Sequence, residues 1–179
     1  IVSQYGLDNA GGADNLYGYI EGDDHYSEVI VGRFSAEDEE DVITQVERTI
    51  NYEKDLDETD TWLNKGLGIG SDDPAVNYQG YHDWDHIREV IRADLLDYTY
   101  VFVDEFYDGT KGGEDLPGDP TAQMLIDKFN EGIGIIVYSG HAGQSVLGTT
   151  GFSVNHSSQL SNIGMLPHIW VLGCNPGEF

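Results

Sequence analysis

The chain has 179 residues, in which eight Lys and Arg residues stand against 33 Asp and Glu residues, for a formal net charge of −25. Such an acidic surface repels nucleic acid and anionic membranes, and it suits high solubility, a salty habitat, bound divalent cations or basic partners. No window of about 18 apolar residues occurs, so no membrane span is predicted. The length suits one domain with its own core.

The first predicted elements are a strand and a helix. Residues 28–34 form a short β-rich run. Ser35 then suits a helix N-cap followed by an acidic first turn, and the helix is expected to continue to about Tyr52. The apolar residues of this helix recur at steps of three and four, and they are Val42, Ile43, Val46 and Ile50.

The central part of the chain alternates between the same two kinds of element. A second strand is predicted at 66–70, and it ends in a polar loop. An amphipathic helix follows at 83–96, and then a third strand at 99–103. The Gly-, Asp- and Pro-rich residues 108–118 are typical of a surface loop.

A third helix is predicted from Asp119, which suits a capping acid, with Pro120 in the first turn. Apolar runs at 133–138 and 168–173 complete five strand candidates. Most of these runs are uniformly apolar, with helices or long crossings between several of them. The pattern therefore predicts an α/β fold with a mostly parallel sheet covered on both faces.

The single cysteine of the chain, Cys174, ends the apolar run 168–173, and the run 133–138 leads into His141. A lone thiol is most often simply buried. In an open α/β sheet, however, the ligand crevice lies beyond the carboxyl ends of the strands. Two strands would then deliver a thiol and an imidazole to one edge, as a Cys/His nucleophile pair requires.

Several segments resemble the gingipains, cysteine proteases of a caspase-like fold. They are residues 17–35, residues 45–54, the motif Tyr138-Ser139-Gly140-His141, residues 159–162, and a last stretch that begins Leu172-Gly173-Cys174-Asn175. The resemblance covers nearly the whole chain and is greatest to the arginine-cleaving members. It implies a caspase-like three-layer α/β/α sandwich with a mostly parallel sheet.

The resemblance also implies that residues 1–179 are the central part of a larger catalytic domain. Family members have an earlier α/β part and further elements after the cysteine, and those parts would be partners of this one. The chain opens without an initiator Met or a signal-type apolar stretch, so a targeting segment is expected to be absent or removed.

The catalytic roles follow from the resemblance and from thiol chemistry. Cys174 would be the nucleophile, and His141 would help to form the thiolate and then protonate the leaving amine. Backbone N–H groups of Ala142 and Cys174 would stabilise the oxyanion, although the family has Gly where Ala142 stands. Ser139 and Leu172 are expected beside the substrate.

Two further acids take roles from the same resemblance. Asp73, next to Asp72, stands where the arginine-cleaving members have the Glu that orients the imidazole, and a solvated turn acid is an equal alternative. Counting back without gaps aligns Asp85 with the pocket acid that receives the basic side chain, with Asp83 as the fallback. Both could instead be ordinary acids at a helix N-terminus.

A calcium site is also implied by the resemblance. Asp23, Asp24 and Glu28 form an oxygen-rich turn like one that helps to bind structural calcium in the family, and an acidic turn without an ion is an equal alternative. His82 and His86 lie four residues apart, but no His-Glu-x-x-His motif accompanies them, so a zinc hydrolase is not predicted.

The sequence therefore predicts a cysteine endopeptidase that cleaves protein or peptide substrates after Arg or Lys, with a preference for Arg. The resemblance to secreted bacterial proteases implies a secreted or cell-surface location. Two alternatives remain open. One is a catalytically silent binding or secretion-apparatus module, and the other is a calcium-dependent structural domain.

Overall fold

The computed structural model describes residues 14–24, 26–73, 80–174 and 176. The chain divides into two compact units, a first unit of residues 1–51 and a second unit of residues 52–179.

The first unit holds a short 3₁₀ helix, Asp14–Gly18, and most of helix α1, Glu39–Lys54. Helix α1 is confirmed but begins later than predicted, because Asp38 accepts the backbone N–H groups of Glu40 and Asp41 at 2.9 and 3.1 Å. The strand predicted at 28–34 is wrong, since these residues form no strand in the described part of the chain.

The second unit is built on four parallel strands. They are β1 Lys65–Gly70, β2 Phe102–Tyr107, β3 Ile135–Ser139 and β7 His168–Leu172, in the spatial order β2-β1-β3-β7. This arrangement confirms the predicted parallel sheet. The third strand was predicted at 99–103 but spans Phe102–Tyr107. Asp104 and Glu105 interrupt its apolar run, so the sequence pattern of its second half resembles that of a loop.

Helices lie between the strands along the chain. The run predicted at 83–96 is continuous but has three parts, namely α2 Asp83–His86, a π-helical stretch Ile87–Arg92, and α3 Ala93–Tyr98. A 3₁₀ helix, Thr61–Asn64, precedes β1.

Helix α4 spans Ala122–Glu131 and begins later than predicted. Its N-cap is Thr121, whose side chain accepts the Met124 N–H. Asp119 does not cap this helix, because its carboxylate accepts the Gly109 N–H at 2.8 Å instead. The Asp119 carboxylate is therefore used by the loop, and the Thr121 hydroxyl caps the helix.

Apolar side chains cover both faces of the sheet. Ile136 and Tyr138 of β3 pack in one cluster with Leu125 of α4, whereas Val137, which points the other way, packs with Ile87 of the π-helical stretch. Helices on both faces of a parallel sheet give the α/β/α order that the sequence predicts.

A small antiparallel sheet follows β3. Its strands are β4 Ala142–Gly143, β5 Val146–Leu147 and β6 Phe152–Ser153, followed by a 3₁₀ helix, Val154–Gln159. Sequence reasoning missed this sheet, because strands of two residues are too short to show an alternating pattern.

Candidate active site

Three strands of the parallel sheet end at one edge, where the predicted catalytic segments begin. Ser71 follows β1, and its backbone N–H donates to the Ser139 carbonyl at the end of β3 at 3.0 Å. Gly140 donates in the same way to the Leu172 carbonyl at the end of β7 at 3.1 Å. The loops that carry Asp73, His141 and Cys174 therefore leave neighbouring strands side by side.

Close backbone packing brings the cysteine segment against the histidine segment. A Cβ on Gly173 would lie 2.7 Å from the Gly140 carbonyl oxygen and 2.8 Å from the Ala142 Cβ, so only glycine fits there. Gly173 directly precedes Cys174, and Gly140 and Ala142 flank His141. The Cys174 thiol is exposed and free of any disulfide.

The imidazole of His141 contacts one carboxylate. Its Nε2 lies 3.1 Å from Oδ2 of Asp73, and the two side chains are 80% and 44% exposed. Asp73 therefore reaches the imidazole although it is one methylene shorter than Glu. Water and dissolved ligands can therefore reach this pair.

Asp72 points to different partners. Its Oδ1 lies 2.7 Å from Lys111 Nζ and accepts the Trp84 indole N–H at 3.1 Å. The hydrogen bond from Lys111 is the largest cause that holds the pKa of Asp72 below its ordinary value. Of the two adjacent acids, Asp73 is thus the one that contacts His141.

The backbone of His141 is held from below by Tyr138, a residue that sequence reasoning missed. The Tyr138 hydroxyl is fully buried and donates to the His141 carbonyl, which also accepts the Gly148 N–H at 2.7 Å. The hydroxyl in turn accepts the Thr149 N–H at 3.1 Å. The only sequence signal was a phenol in an otherwise apolar strand, where it needs a partner.

Ser71 is a second residue that sequence reasoning did not single out. Its side chain is buried, and its Oγ lies 2.8 Å from Oδ2 of Asp73 and 2.8 Å from Oδ2 of Asp83. The Ser71 carbonyl accepts the Trp84 N–H at 3.1 Å. Ser71 thus links the loop that carries Asp73 to the start of helix α2.

The two candidates for the pocket acid have different surroundings. Asp83 contacts Ser71, as described above. Asp85 is half-buried, and its side chain forms no hydrogen bond or ion pair within the described part of the chain. Ser139 is half-buried beside His141, and the side chain of Leu172 is exposed at the same edge.

Other carboxylates raise the negative potential around this edge. Asp108 follows β2, and its backbone N–H donates to the Gly70 carbonyl at 3.1 Å. Burial is the largest cause that raises the pKa of Asp108 above its ordinary value; a hydrogen bond from the Asp72 backbone N–H opposes the shift, and the carboxylates of Asp119, Asp73 and Asp72 add to it. An edge with this charge favours a cationic ligand over an anionic one.

A buried ion pair lies behind Trp84. Arg88 donates to both oxygens of Glu105 at 2.9 and 3.1 Å, and the Glu105 side chain is only 2% exposed. The guanidinium also lies 5.2 Å from the Trp84 ring and 5.1 Å from the Tyr107 ring. This cluster holds Trp84, whose backbone closes on Gly70, where a Cβ would lie 2.4 Å from the Trp84 Cα.

In the acidic turn of the first unit, two carboxylates accept hydrogen bonds from nearby backbone N–H groups. Glu28 accepts the N–H groups of Ile20 and Glu21, and Asp24 accepts that of Tyr26. No group of three or more His, Cys, Asp or Glu side chains within the described residues is arranged to hold a metal ion. Asp23, Asp24 and Glu28 thus do not converge on one point, and a calcium ion there would need other oxygens.

The described helices include none with the length and apolar character of a membrane span.

Known proteins resemble this chain over most of its length. The model of peptidase family C25 matches residues 1–179. Gingipain R2 and gingipain R1 of Porphyromonas gingivalis are each 39% identical to it over 169 residues, which is 93% of this chain. The chain spans 22% of that gingipain R2 and 16% of that gingipain R1.

Two solved structures share the fold. One is the Arg specific cysteine proteinase gingipain R (RGPB), with a TM-score of 0.81 and 38% identity over 92% of this chain and 36% of that one. The other is the complex of the RgpB pro- and mature domains, with a TM-score of 0.78. The predicted resemblance and the predicted fold class are confirmed, and the chain belongs to peptidase family C25.

Proposed function

We propose that this chain carries the catalytic groups of a cysteine endopeptidase that cleaves after basic residues, preferentially Arg. The observation that carries the proposal is the contact of His141 with Asp73 at 3.1 Å, on the edge where β7 leads into Cys174. Membership of a peptidase family supports the reaction class, and the likeness to gingipains R supports the preference for Arg.

The acylation half-reaction uses the thiol and the imidazole. The proton of the Cys174 thiol passes to His141, and the carboxylate of Asp73 stabilises the imidazolium that forms. The thiolate attacks the peptide carbonyl carbon, and the carbonyl π electrons move to oxygen. When the tetrahedral intermediate collapses, the C–N bond breaks, His141 returns the proton to the leaving amine, and a thioester remains on Cys174.

The second half-reaction restores the enzyme. His141, now neutral, takes a proton from water, and the hydroxide equivalent attacks the thioester carbon. The C–S bond then breaks, the carboxylic acid product leaves, and Cys174 recovers its proton through His141. The 80% exposure of the imidazole supports this step, because water reaches it directly.

The oxyanion formed in both halves needs N–H donors that are already in place. We propose the backbone N–H groups of Ala142 and Cys174. The support is proximity, since the Ala142 nitrogen lies 3.4 Å from where a Cβ on Gly173 would stand. The small side chain of Ala142 leaves room for a carbonyl to approach. Ser139 and Leu172 would contact the substrate beside it.

The basic side chain before the scissile bond needs a carboxylate. Asp85 is the proposed pocket acid, and its support is a half-buried carboxylate with no partner among the described residues. Asp83 is the alternative, supported by its position one hydrogen bond from Ser71. A guanidinium held by either one would be bound through two parallel N–H···O bonds.

A labelling experiment tests the reaction class. The full-length protein is treated with a peptidyl-arginyl chloromethyl ketone, and the labelled residue is identified by mass spectrometry. We expect a label on Cys174 that is absent in the His141→Ala variant, while a peptidyl-glutamyl analogue labels poorly. A protein that hydrolyses no peptide and takes no arginyl label would instead be a catalytically silent module.

A second experiment assigns the pocket acid. Asp85→Asn and Asp83→Asn are compared on peptides that differ only in Arg or Gln before the scissile bond. Loss of a buried partner for a charge typically costs about 2–5 kcal/mol, so kcat/KM for Arg should fall about 30-fold or more in one variant. The variant that also loses the Arg-over-Gln preference identifies the acid, and equal preference in Asp85→Asn would remove Asp85 from the pocket.

The setting of the enzyme is part of the proposal. We propose that it acts at the cell surface or after secretion and that other parts of the same catalytic domain pack against this one, a view supported by its coverage of 36% of the solved relative. Detection of the protein in the culture medium or on intact cells tests the location.

A further inference from the structure

We infer that Ser71 is a positioning residue that holds the orienting carboxylate of the proposed catalytic site and shares its single hydroxyl hydrogen between Asp73 and Asp83. The inference rests on the proposed function and extends it to a residue that makes no contact with substrate in the mechanism above.

Ser71 lies next to the proposed catalytic pair, and its backbone is held by hydrogen bonds. Its Oγ lies 2.8 Å from Oδ2 of Asp73, and that same oxygen lies 3.1 Å from His141 Nε2. The hydroxyl is therefore one carboxylate oxygen away from the imidazole. Its backbone is fixed on both sides, since the Ser71 N–H donates to Ser139 and its carbonyl accepts from Trp84.

The hydroxyl has one hydrogen but two carboxylates within reach. A serine can donate one hydrogen bond and accept two. The Asp73 backbone N–H, 3.3 Å away, already uses the acceptor side. The hydrogen can therefore serve Asp73 or Asp83 at a given moment, and the carboxylate without it faces a lone pair. Ser71 is buried, so its hydroxyl hydrogen bonds one of these two acids and not water.

A cation at Asp83 would change this balance. If Asp83, the alternative to Asp85 as the pocket acid, receives the substrate guanidinium, the guanidinium supplies donors of its own, and the Ser71 hydrogen then bonds Asp73 and fixes that carboxylate toward His141. Among the described residues, Ser71 contacts Asp73 and Asp83 directly. Further charged or titratable groups described at this edge of the sheet are His141, Asp72, Asp108, Lys111 and His82. Ser71 is the neutral hydroxyl that two of these acids share.

The test uses four variants of the full-length protein: Ser71→Ala, Ser71→Cys, Asp73→Asn and the double variant Ser71→Ala/Asp73→Asn. Ser157→Ala is the matched control, because Ser157 is exposed and its hydroxyl donates to the Val154 carbonyl in a 3₁₀ helix. Two kinds of measurement are made on each variant. One is kcat and KM on an arginyl peptide, and the other is the pH midpoint of Cys174 alkylation by iodoacetamide, read on the Cys174 peptide by mass spectrometry.

We expect Ser71→Ala to lower kcat about tenfold with little change in KM, because a hydrogen bond to the charged Asp73 is lost while Asp85, the proposed pocket acid, forms no hydrogen bond with Ser71. The alkylation midpoint should move to higher pH, since a poorly held Asp73 stabilises the imidazolium beside the thiolate less well. The double variant should resemble Asp73→Asn, because Ser71 acts through Asp73. Ser71→Cys keeps the packing with a weaker donor and should fall in between.

Wild-type kcat and midpoint in a Ser71→Ala protein that merely melts earlier would overturn the inference, as would effects of Ser71→Ala and Asp73→Asn that simply add. Should Ser71→Ala fail to fold, Ser71→Cys carries the same decision. A wild-type protein without peptidase activity would defeat the proposed function alone, because the alkylation midpoints still decide the role of Ser71.

Discussion

Two contacts between side chains of the second unit, each of which involves a carboxylate, differ in almost every physical respect. His141 and Asp73 are 80% and 44% exposed and meet through one atom pair, whereas Arg88 and Glu105 are 18% and 2% exposed and meet through two hydrogen bonds. An exposed pair adds little stability but can be reached by substrate and water. A buried pair cannot be reached by substrate or water, and removal of one partner leaves the other charge buried without a counter-charge or solvent. The exposed contact that is proposed for catalysis and the buried contact that stabilises the fold are thus formed by different residues of the same unit.

The largest effect should come from breaking the exposed contact. His141→Ala removes the proposed acid and base, so kcat/KM should fall about 10³-fold or more. The free energy of unfolding should change by less than about 0.5 kcal/mol, because the side chain is almost fully in solvent. Peptide hydrolysis and chemical denaturation measure the two quantities, and a large loss of stability without loss of activity would reverse the comparison.

Breaking the buried contact should have the opposite profile. Glu105→Gln leaves Arg88 without its counter-charge and should lower the free energy of unfolding by about 3–5 kcal/mol. The matched control is Glu131→Gln, which removes a 62% exposed partner of Lys128 and should cost at most about 1 kcal/mol. Urea denaturation compares them, and similar losses in the two variants would mean that burial does not set the difference.

Asp108 offers a smaller test that depends on pH. Its pKa is raised above the ordinary 3.8 chiefly by burial; a hydrogen bond from the Asp72 backbone N–H opposes this shift, and the nearby carboxylates add to it. The folded state thus binds this proton more tightly than the unfolded state, so the favourable contribution is complete below pH 3.8 and is lost as the pH rises through the folded pKa. Asp108→Asn cannot ionise and should melt higher than wild type at pH 7.

The advantage of Asp108→Asn should shrink as the pH is lowered toward 3.8. Thermal melts of both proteins at several pH values check this. A difference in melting temperature that stays constant with pH would show that charge at Asp108 is not its cause. Asp127→Asn is a suitable control, since Asp127 is an exposed acid on α4.

The smallest expected effect concerns calcium and the acidic turn of the first unit, where it stays a prediction. A site that binds calcium only in the folded state would stabilise it by about 1.4 kcal/mol at tenfold excess over Kd. Melts in calcium and in a chelator measure the shift, and Asp23→Asn should abolish it. Equal melting temperatures in the two solutions would end the calcium prediction for this turn.

Much of the fold could be predicted because its causes are local. The strands β1, β3 and β7 are short apolar runs next to glycines or polar turns, and the helical stripe of α1 repeats at steps of three and four. The first residues of the helices were less predictable, since more than one polar side chain near the start of a helix can cap it. Asp119 loses the cap of α4 because a loop N–H ten residues earlier takes its carboxylate.

The second half of β2 was hidden for a related reason. Glu105 is buried in a strand, which its charge argues against, and it is accommodated only because Arg88 reaches it from 17 residues earlier. No local pattern contains that partner. The run at 28–34 is the reverse case, since its residues favour a strand but no neighbouring strand pairs with them in the described part of the chain.

Residue types and their positions in the chain were enough to single out Cys174 and His141 as a candidate pair, because reactive groups just after buried strands lie at the same edge of a parallel sheet. Asp73 was predicted from the resemblance to the gingipains, with a solvated turn acid as an equal alternative. Only the tertiary structure decided that Asp73 and not Asp72 contacts the imidazole, that Tyr138 holds the His141 backbone, and that Ser71 joins two acids. The physical reason is that a hydrogen bond depends on distances of a few tenths of an ångström between segments far apart in the chain, which composition and periodicity do not encode.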